Sequence, residues 1–352
     1  MTNQTRHDAI QALFRHIESN YGNLSSLIDT GSAAETIVVD DGNIHTNHLT
    51  RLFQHDATAL HIRNFYNAES AKQLGDDLIQ ESLRKGGNNW KISTSRGLES
   101  SDVGTLGMHS PYNVAVSRQT VLSSSSQHHT GGDDEDAVAP IDEYFDGVQR
   151  EFHSRRRISP YSSQDNDAHY QLWPLDKLRL ELDEAWQFGA GLAREKNDKR
   201  RAFGGGLPRI MRGPTRWKRG YIHVDELGPL DVNRGLFSAN IYLTMPNAAH
   251  TSERDEIPGA GALYVWPLGV RSRLDWYRNA ITLSSLSAQD PESQHIIRKA
   301  LGEPNVIRPN PGDLVLLCAQ RPHCAVGFGD GVRVSLQCFL QYEREQRLLV
   351  DC

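Results

Sequence analysis

The chain has 352 residues, 38 of them Lys or Arg and 44 Asp or Glu, for a formal net charge of −6. That length admits one large domain or two ordinary ones with an ample core, and the acidic balance excludes a general attraction to nucleic acid phosphates. The polar start MTNQTRHDAI lacks an apolar leader, and nowhere do about 18 apolar residues run together, so a cytoplasmic protein with a small-molecule substrate and no membrane partner is expected.

Residues 5–20 and 68–84 carry helical periodicity, and between them ETIVVDD and ALHIRNF read as short strands. The stretch 123–140 is acidic and low in complexity and is expected to be a mobile loop. Its paired His128 and His129 cannot be preorganised there as metal ligands. PLDKLRLELDEAWQFGAGLAREK, residues 174–196, predicts one long helix with Leu175, Leu178, Leu182 and Trp186 on its buried stripe. Residues 1–202 thus form an N-terminal α/β section.

From about residue 203 short apolar strands alternate with Gly/Pro turns: LPRIMRG, YIHVDE, LFSANIYLTMP, GALYVWPL, NVIRPNPG, DLVLLCAQ, HCAVGFGDG and RVSLQCFLQYE. Eight strands suit a closed or sandwiched antiparallel barrel over residues 203–345. A helical insertion at 270–302 interrupts it, and 346–352 is left as a C-terminal tail. All four cysteines, Cys318, Cys324, Cys338 and Cys352, fall here without a CxxC pair and read as reduced, mostly buried thiols.

His-x-Asp/Glu should occur roughly twice by composition alone, and it does occur twice. His16 and Glu18 lie on a helical pattern, where positions i and i+2 diverge. His223 and Asp225 in GYIHVDELGPLD lie on a strand pattern, where they share a face. His323 opens a later strand behind a proline, and Arg333, ten residues on, is followed at period two by Ser335 and Gln337. An arginine pointing into a barrel demands an anion, and a carboxylate gripped by both guanidinium nitrogens fits best.

This arrangement resembles the Fe(II)/2-oxoglutarate-dependent dioxygenases. The resemblance covers residues 203–343 and includes GAGALYVWP as a Gly-rich central strand and PNPGDLVLL as a proline-glycine-aspartate turn. It implies a mixed α/β protein with a double-stranded β-helix (jelly-roll or cupin-like) core, N-terminal helices and a helical insertion. It also implies that His223, Asp225 and His323 hold Fe(II), and that Arg333 and Ser335 bind 2-oxoglutarate. O2 would be the co-oxidant and ascorbate an accessory reductant. Decarboxylation of 2-oxoglutarate to succinate would be coupled to hydrogen removal from the substrate, then hydroxylation, desaturation or ring closure. Asn240 and Tyr242 share a strand face and would help hold 2-oxoglutarate, although Tyr242 also fits as a core aromatic. The presence of Asp225 argues against the halogenases of this superfamily, which carry a small residue there.

RGPTRWKRGYIHVDELGPLD, WPLGVRSRLDWYRNA and CAQRPHCAVGF are further similar to the branch containing algal kainoid synthases. That likeness implies an amino-acid-like substrate bearing carboxylates, with Arg209, Arg212 or Arg216 to bind one of them; strand parity cannot turn both Arg209 and Arg212 inward. Three rivals remain. A Cys324–His323 thiol site fails because neighbours on a strand face opposite ways. A non-catalytic cupin-like binding barrel leaves Arg333 and Asp225 unexplained, and oxygenase chemistry on a protein side chain stays open, as does the oligomeric state.

Overall fold

The structure, a computed structural model, describes residues 34–94, 97–126, 139–156, 172–226, 230–246, 259–269 and 291–352, with isolated helical positions at 8, 12 and 19. Most of the expected helix at 5–20, the centre of the acidic stretch (127–138) and the first part of the insertion (270–290) lie outside the described residues.

Thirteen strands and six helices follow in order among the described residues. They are β1 (Glu35–Val39), α1 (Thr46–Phe53), β2 (Ala57–Ile62), α2 (Ala68–Lys85), β3 (Asn88–Thr94), β4 (Gly97–Thr105), α3 (Tyr112–Ser126), α4 (Pro140–Arg156) and α5 (Pro174–Ala185). After them come β5 (Ala190–Leu192), β6 (Leu207–Arg212), β7 (Arg234–Thr244), β8 (Leu263–Val265), α6 (Pro291–Leu301), β9 (Asn305–Ile307), β10 (Leu314–Cys318), β11 (His323–Ala325), β12 (Val332–Glu343) and β13 (Leu348–Asp351).

Ten strands form one sheet along the order β1-β2-β10-β7-β12-β6-β4-β3, with β13 joining β12 and β5 joining β13. Only β1·β2 and β13·β5 are parallel. A smaller sheet, β11-β8-β9, faces it. This two-sheet, mostly antiparallel core with helices is the mixed α/β jelly-roll class expected.

Period-two alternation sorts the large sheet's two faces. Phe237, Ala239, Ile241 and Leu243 of β7 and Val334, Leu336, Cys338 and Leu340 of β12 are all at most 1% exposed and pack under helices α2 and α5. On α2 the buried residues are Ala71, Leu74, Gly75 and Leu78, one helical stripe, and Asn67 caps it by accepting from Ser70 N at 3.0 Å. The opposite face meets the small sheet through Tyr242, Val315 and Leu317 against Leu263, Val265 and Ile307. Between these the same face carries Ser238, Asn240, Arg333, Ser335 and Gln337, which a packed sandwich would not tolerate unless a cavity received them.

Four expectations change. YIHVDE is not a strand: a single bridge joins His223 and His323, closed by His223 N to His323 O at 3.0 Å and its reciprocal at 2.9 Å, and Asp225 N then turns to Ala319 O. Gly220, at φ 78, bends the chain just before it. The helix expected over 174–196 stops at Ala185, because Gly189 at φ 73 reverses the chain and Ala190–Leu192 pairs with β13. The stretch 123–140 is helical at both ends, its first residues closing α3 and Pro140 opening α4. Residues 346–352 contain β13 instead of a tail, paired to β12. The N-terminal section also supplies β1, β2, β3 and β4 to both sides of the same large sheet.

The proline-glycine-aspartate turn is where β2, β7 and β10 meet. Gly312, at φ 94, donates its N–H to Tyr242 O and accepts from Tyr66 N, each at 2.8 Å, and a Cβ there would run into the Tyr66 carbonyl. Gly312→Ala should therefore destabilise the fold by about 2 kcal/mol or more, read as a lowered midpoint of chemical unfolding; an unchanged midpoint would mean the turn relaxes freely.

Candidate active site

His323 starts β11 and His223 is held opposite by their bridge, so two imidazoles from distant parts of the chain stand with ring centroids 4.4 Å apart. Asp225 completes the group: its carboxylate lies 3.6 Å from His223 Nε2 and 3.4 Å from His323 Nε2. One potential ligand atom from each residue falls within 4.8 Å of the others, the only such cluster among the described residues.

The tautomers follow from the neighbours. His223 Nδ1 lies 3.0 Å from Tyr221 O and His323 Nδ1 lies 2.8 Å from Arg321 O. A carbonyl only accepts, so each Nδ1 carries the proton and each neutral ring turns an Nε2 lone pair towards Asp225. Two nitrogen lone pairs facing a carboxylate repel unless a cation or a proton sits among them. The titration directions divide the two rings. Burial pushes the His323 imidazole down, but Asp225 outweighs it and leaves it raised. Burial, then the charge on His323, takes His223 down to about 4. Burial alone would raise Asp225, yet the imidazoles beside it hold the carboxyl far below the usual range. The donor set N, O, N, with carbonyls orienting both rings from behind, suits a divalent transition metal with sites left open.

The triad opens onto a cavity of about 280 Å³. Arg333, Ser335, Asn240 and Tyr242 all line it. Tyr242 pairs with Ser335 across β7·β12, and Asn240 with Gln337. Of the three other arginines, Arg209 alone lines the cavity: it lies directly opposite Ser335 on the β6 side. Arg212 is exposed and reaches Ser82 Oγ, and exposed Arg216 lies over the Trp217 ring, 5.6 Å from its centroid. Burial lowers both inward guanidinium groups, Arg209 to about 10 with Arg333 adding to the effect.

Cys324 turns away from the cavity. It packs with Ile222, Trp266 and Leu268, fully buried, and burial raises its thiol to about 11. No thiolate is therefore available beside His323, which removes the nucleophile reading. All four cysteines are free, three of them buried.

Sequence reasoning assigned no role to Ser238, Gln337, Trp217 or Tyr221, which also line the cavity. Ser238 Oγ accepts from Gln337 Nε2 at 2.7 Å and from Asn240 Nδ2 at 3.1 Å. Period two in SANIY and RVSLQ carried the signal for the first two. Tyr221 stacks on His223 at 5.4 Å and 6°. Period two in YIHVDE, which puts Tyr221 on the same side as His223, carried the signal for that contact.

No protein-family model matches the chain, and no curated protein matches it. Similar solved structures include a prolyl-4-hydroxylase of Pseudomonas putida, 13% identical over 85% of this chain and 98% of that one, TM-score 0.34. Another is the non-heme α-ketoglutarate-dependent carbocyclase SnoK from nogalamycin biosynthesis, at 14%, 86%, 90% and 0.39. A third is an N-substituted L-amino acid dioxygenase of Burkholderia ambifaria in complex with α-ketoglutarate, at 11%, 76%, 100% and 0.36. The TM-scores are low, and these likenesses assign no role to any residue of this chain. Among the described residues no helix is long and apolar enough to cross a membrane.

Proposed function

We propose that the protein is an Fe(II)/2-oxoglutarate-dependent oxygenase acting on a small carboxylate-bearing, amino-acid-like molecule. The observation that carries this reading is the convergence of His223, Asp225 and His323 within 4.8 Å at the wall of a cavity that also contains Arg333. His223, Asp225 and His323 would hold the iron, and three protein ligands leave positions for cosubstrate and oxygen. Iron bound there with 2-oxoglutarate and O2 supplies oxidative removal of a hydrogen atom from the substrate.

Arg333 has the planar donors to grip the distal carboxylate of 2-oxoglutarate, with Ser335 beside it and Tyr242 across from Ser335. Burial keeps the Tyr242 hydroxyl protonated and able to donate. Leu263 and Leu317 line the same cavity and limit water near the reacting centre. A cavity of about 280 Å³ is at the small end of the ordinary small-molecule range. Whether the reaction ends in hydroxylation or in a ring closure like that of the kainoid synthases depends on sub-ångström placement of the substrate radical.

Anaerobic incubation with Fe(II), 2-oxoglutarate and a metabolite pool, then exposure to oxygen and mass analysis, tests the reading. A product heavier by one oxygen atom means hydroxylation, and one lighter by two hydrogens means desaturation or cyclisation. Absence of iron-dependent succinate formation across such pools sinks the proposal. Arg333→Leu should raise the 2-oxoglutarate requirement roughly 100-fold by removing a charged bidentate contact. An unchanged requirement rules Arg333 out of that role.

A further inference from the structure

Resting on the oxygenase reading, we infer that Gln294 of α6 is a positioning residue for the metal site. Its side-chain amide grips the two peptide units that flank Ile222, and through them it sets both the ring and the backbone of His223.

Where YIHVDE stops short of being a strand, a side chain replaces the neighbouring strand. Ile222 N donates to Gln294 Oε1 at 2.7 Å, and Gln294 Nε2 donates to Ile222 O at 3.0 Å. The partners fix which end of the amide is oxygen, since a backbone N–H only donates and a carbonyl only accepts. Gln294 is 5% exposed, and Ile222 is fully buried.

Each of these bonds sits at one end of a planar peptide unit whose other end serves His223. The unit joining Tyr221 to Ile222 gives its N–H to Gln294 Oε1, while its oxygen lies 3.0 Å from His223 Nδ1 and takes that proton. The unit joining Ile222 to His223 accepts from Gln294 Nε2, while its N–H donates to His323 O at 3.0 Å. Both planes are thereby pinned at both ends. Tilting the first would turn the imidazole, and tilting the second would shift its bridge to the other histidine. Hydrogen bonds at the two ends of one amide also polarise each other, which makes Tyr221 O a better acceptor and the His223 ring a better metal donor.

The helix that carries Gln294 has anchors of its own. Ile297 and Leu301, three and seven residues on and so on the same face, pack with Trp266 and Leu268. Trp266 Nε1 donates to Gly302 O at 2.9 Å, just past the end of α6. Arg298 supplies an internal comparison. Its Nη2 donates to Arg219 O at 2.8 Å and to Gly220 O at 3.0 Å, so it docks the same segment without touching either peptide unit that serves His223.

Metal-free protein titrated with Co(II) alone reads the site without turnover, because the visible absorption of Co(II) reports the number and geometry of its ligands. Gln294→Leu keeps the approximate size and removes both bonds. It should weaken Co(II) binding by about 10- to 100-fold and alter the bound spectrum. Gln294→Glu keeps an acceptor for Ile222 N–H and loses the donor to Ile222 O, so its affinity should be intermediate. Arg298→Leu should lower the melting temperature of the metal-free protein and leave the Co(II) affinity and spectrum as in wild type. A role in folding alone would lower the melting temperature of Gln294→Leu with its Co(II) affinity and spectrum unchanged, and that result overturns the inference. If Gln294→Leu does not fold, an unchanged affinity and spectrum in Gln294→Glu overturns it in the same way. Equal weakening by Arg298→Leu would assign the effect to docking of the whole segment and also overturns it. Wild type that binds no Co(II) sinks the iron site of the oxygenase reading, and this role with it, whereas normal binding that survives in the Gln294 variants removes this role alone.

Discussion

His323→Ala should abolish the stabilisation of this protein by Fe(II) or by a redox-inert substitute such as Zn(II). A ligand present at 100 times its Kd raises stability by about 2.7 kcal/mol, roughly 4 °C in melting temperature for a chain of this size. Wild type should show that shift in a metal titration and the variant none. The ring is 7% exposed, and its loss removes one of three groups whose lone pairs converge on one point. Two remaining ligands cannot hold the ion against water at comparable affinity. The fold should survive, because the bridge to His223 and the pairing of β11 with β8 are made by backbone atoms. An undiminished metal-induced shift in the variant would remove His323 from the ligand set.

Asp313→Ala should be among the most damaging single substitutions outside the triad, costing about 3–5 kcal/mol. Asp313 is 1% exposed and closes the proline-glycine-aspartate turn. Its Oδ2 accepts from Asn310 N and from His61 Nε2, both at 2.8 Å, and its Oδ1 accepts from Asn64 N at 3.0 Å. Alanine would orphan all three donors. Burial alone raises this carboxyl, but His61 and the two backbone N–H groups outweigh it, so its folded pKa lies below the ordinary value. The linked stability is therefore present above the unfolded carboxyl's pKa near 4, and it is lost as pH falls through the lower folded value. Chemical denaturation should show wild type losing this contribution in acid while Asp313→Ala, already without it, falls less. Parallel pH profiles for the two proteins would mean that Asp313 is not the group responsible.

Most of the core was legible because alternation is local. LFSANIYLT and RVSLQCFLQYE state on their own which residues go under the helices and which face inward, and β7 and β12 follow them. YIHVDE shows where this reading misleads. Its period-two pattern predicts a strand, yet it makes one bridge and then turns to Ala319. The geometric consequence survives, since a single extended bridge still sets His223 and Asp225 towards His323. The helix predicted over 174–196 ends at Ala185 instead, because Gly189 reverses the chain and Ala190–Leu192 pairs with β13, a pairing that helical periodicity does not encode.

The sequence by itself determined the residue types and spacings of the site: a histidine and an aspartate two apart, a second histidine a hundred residues on, and an arginine and a serine at strand period. Which of three arginines enters the cavity was decided only by the tertiary structure. Parity allows Arg209 or Arg212 inward but not both, and pairing with Ser335 selects Arg209. The same holds for the Ser238–Gln337 contact, 99 positions apart. The physical reason is range. Side-chain periodicity is a property of neighbouring peptide units, while register between distant strands depends on the burial and hydrogen bonding of the whole sheet.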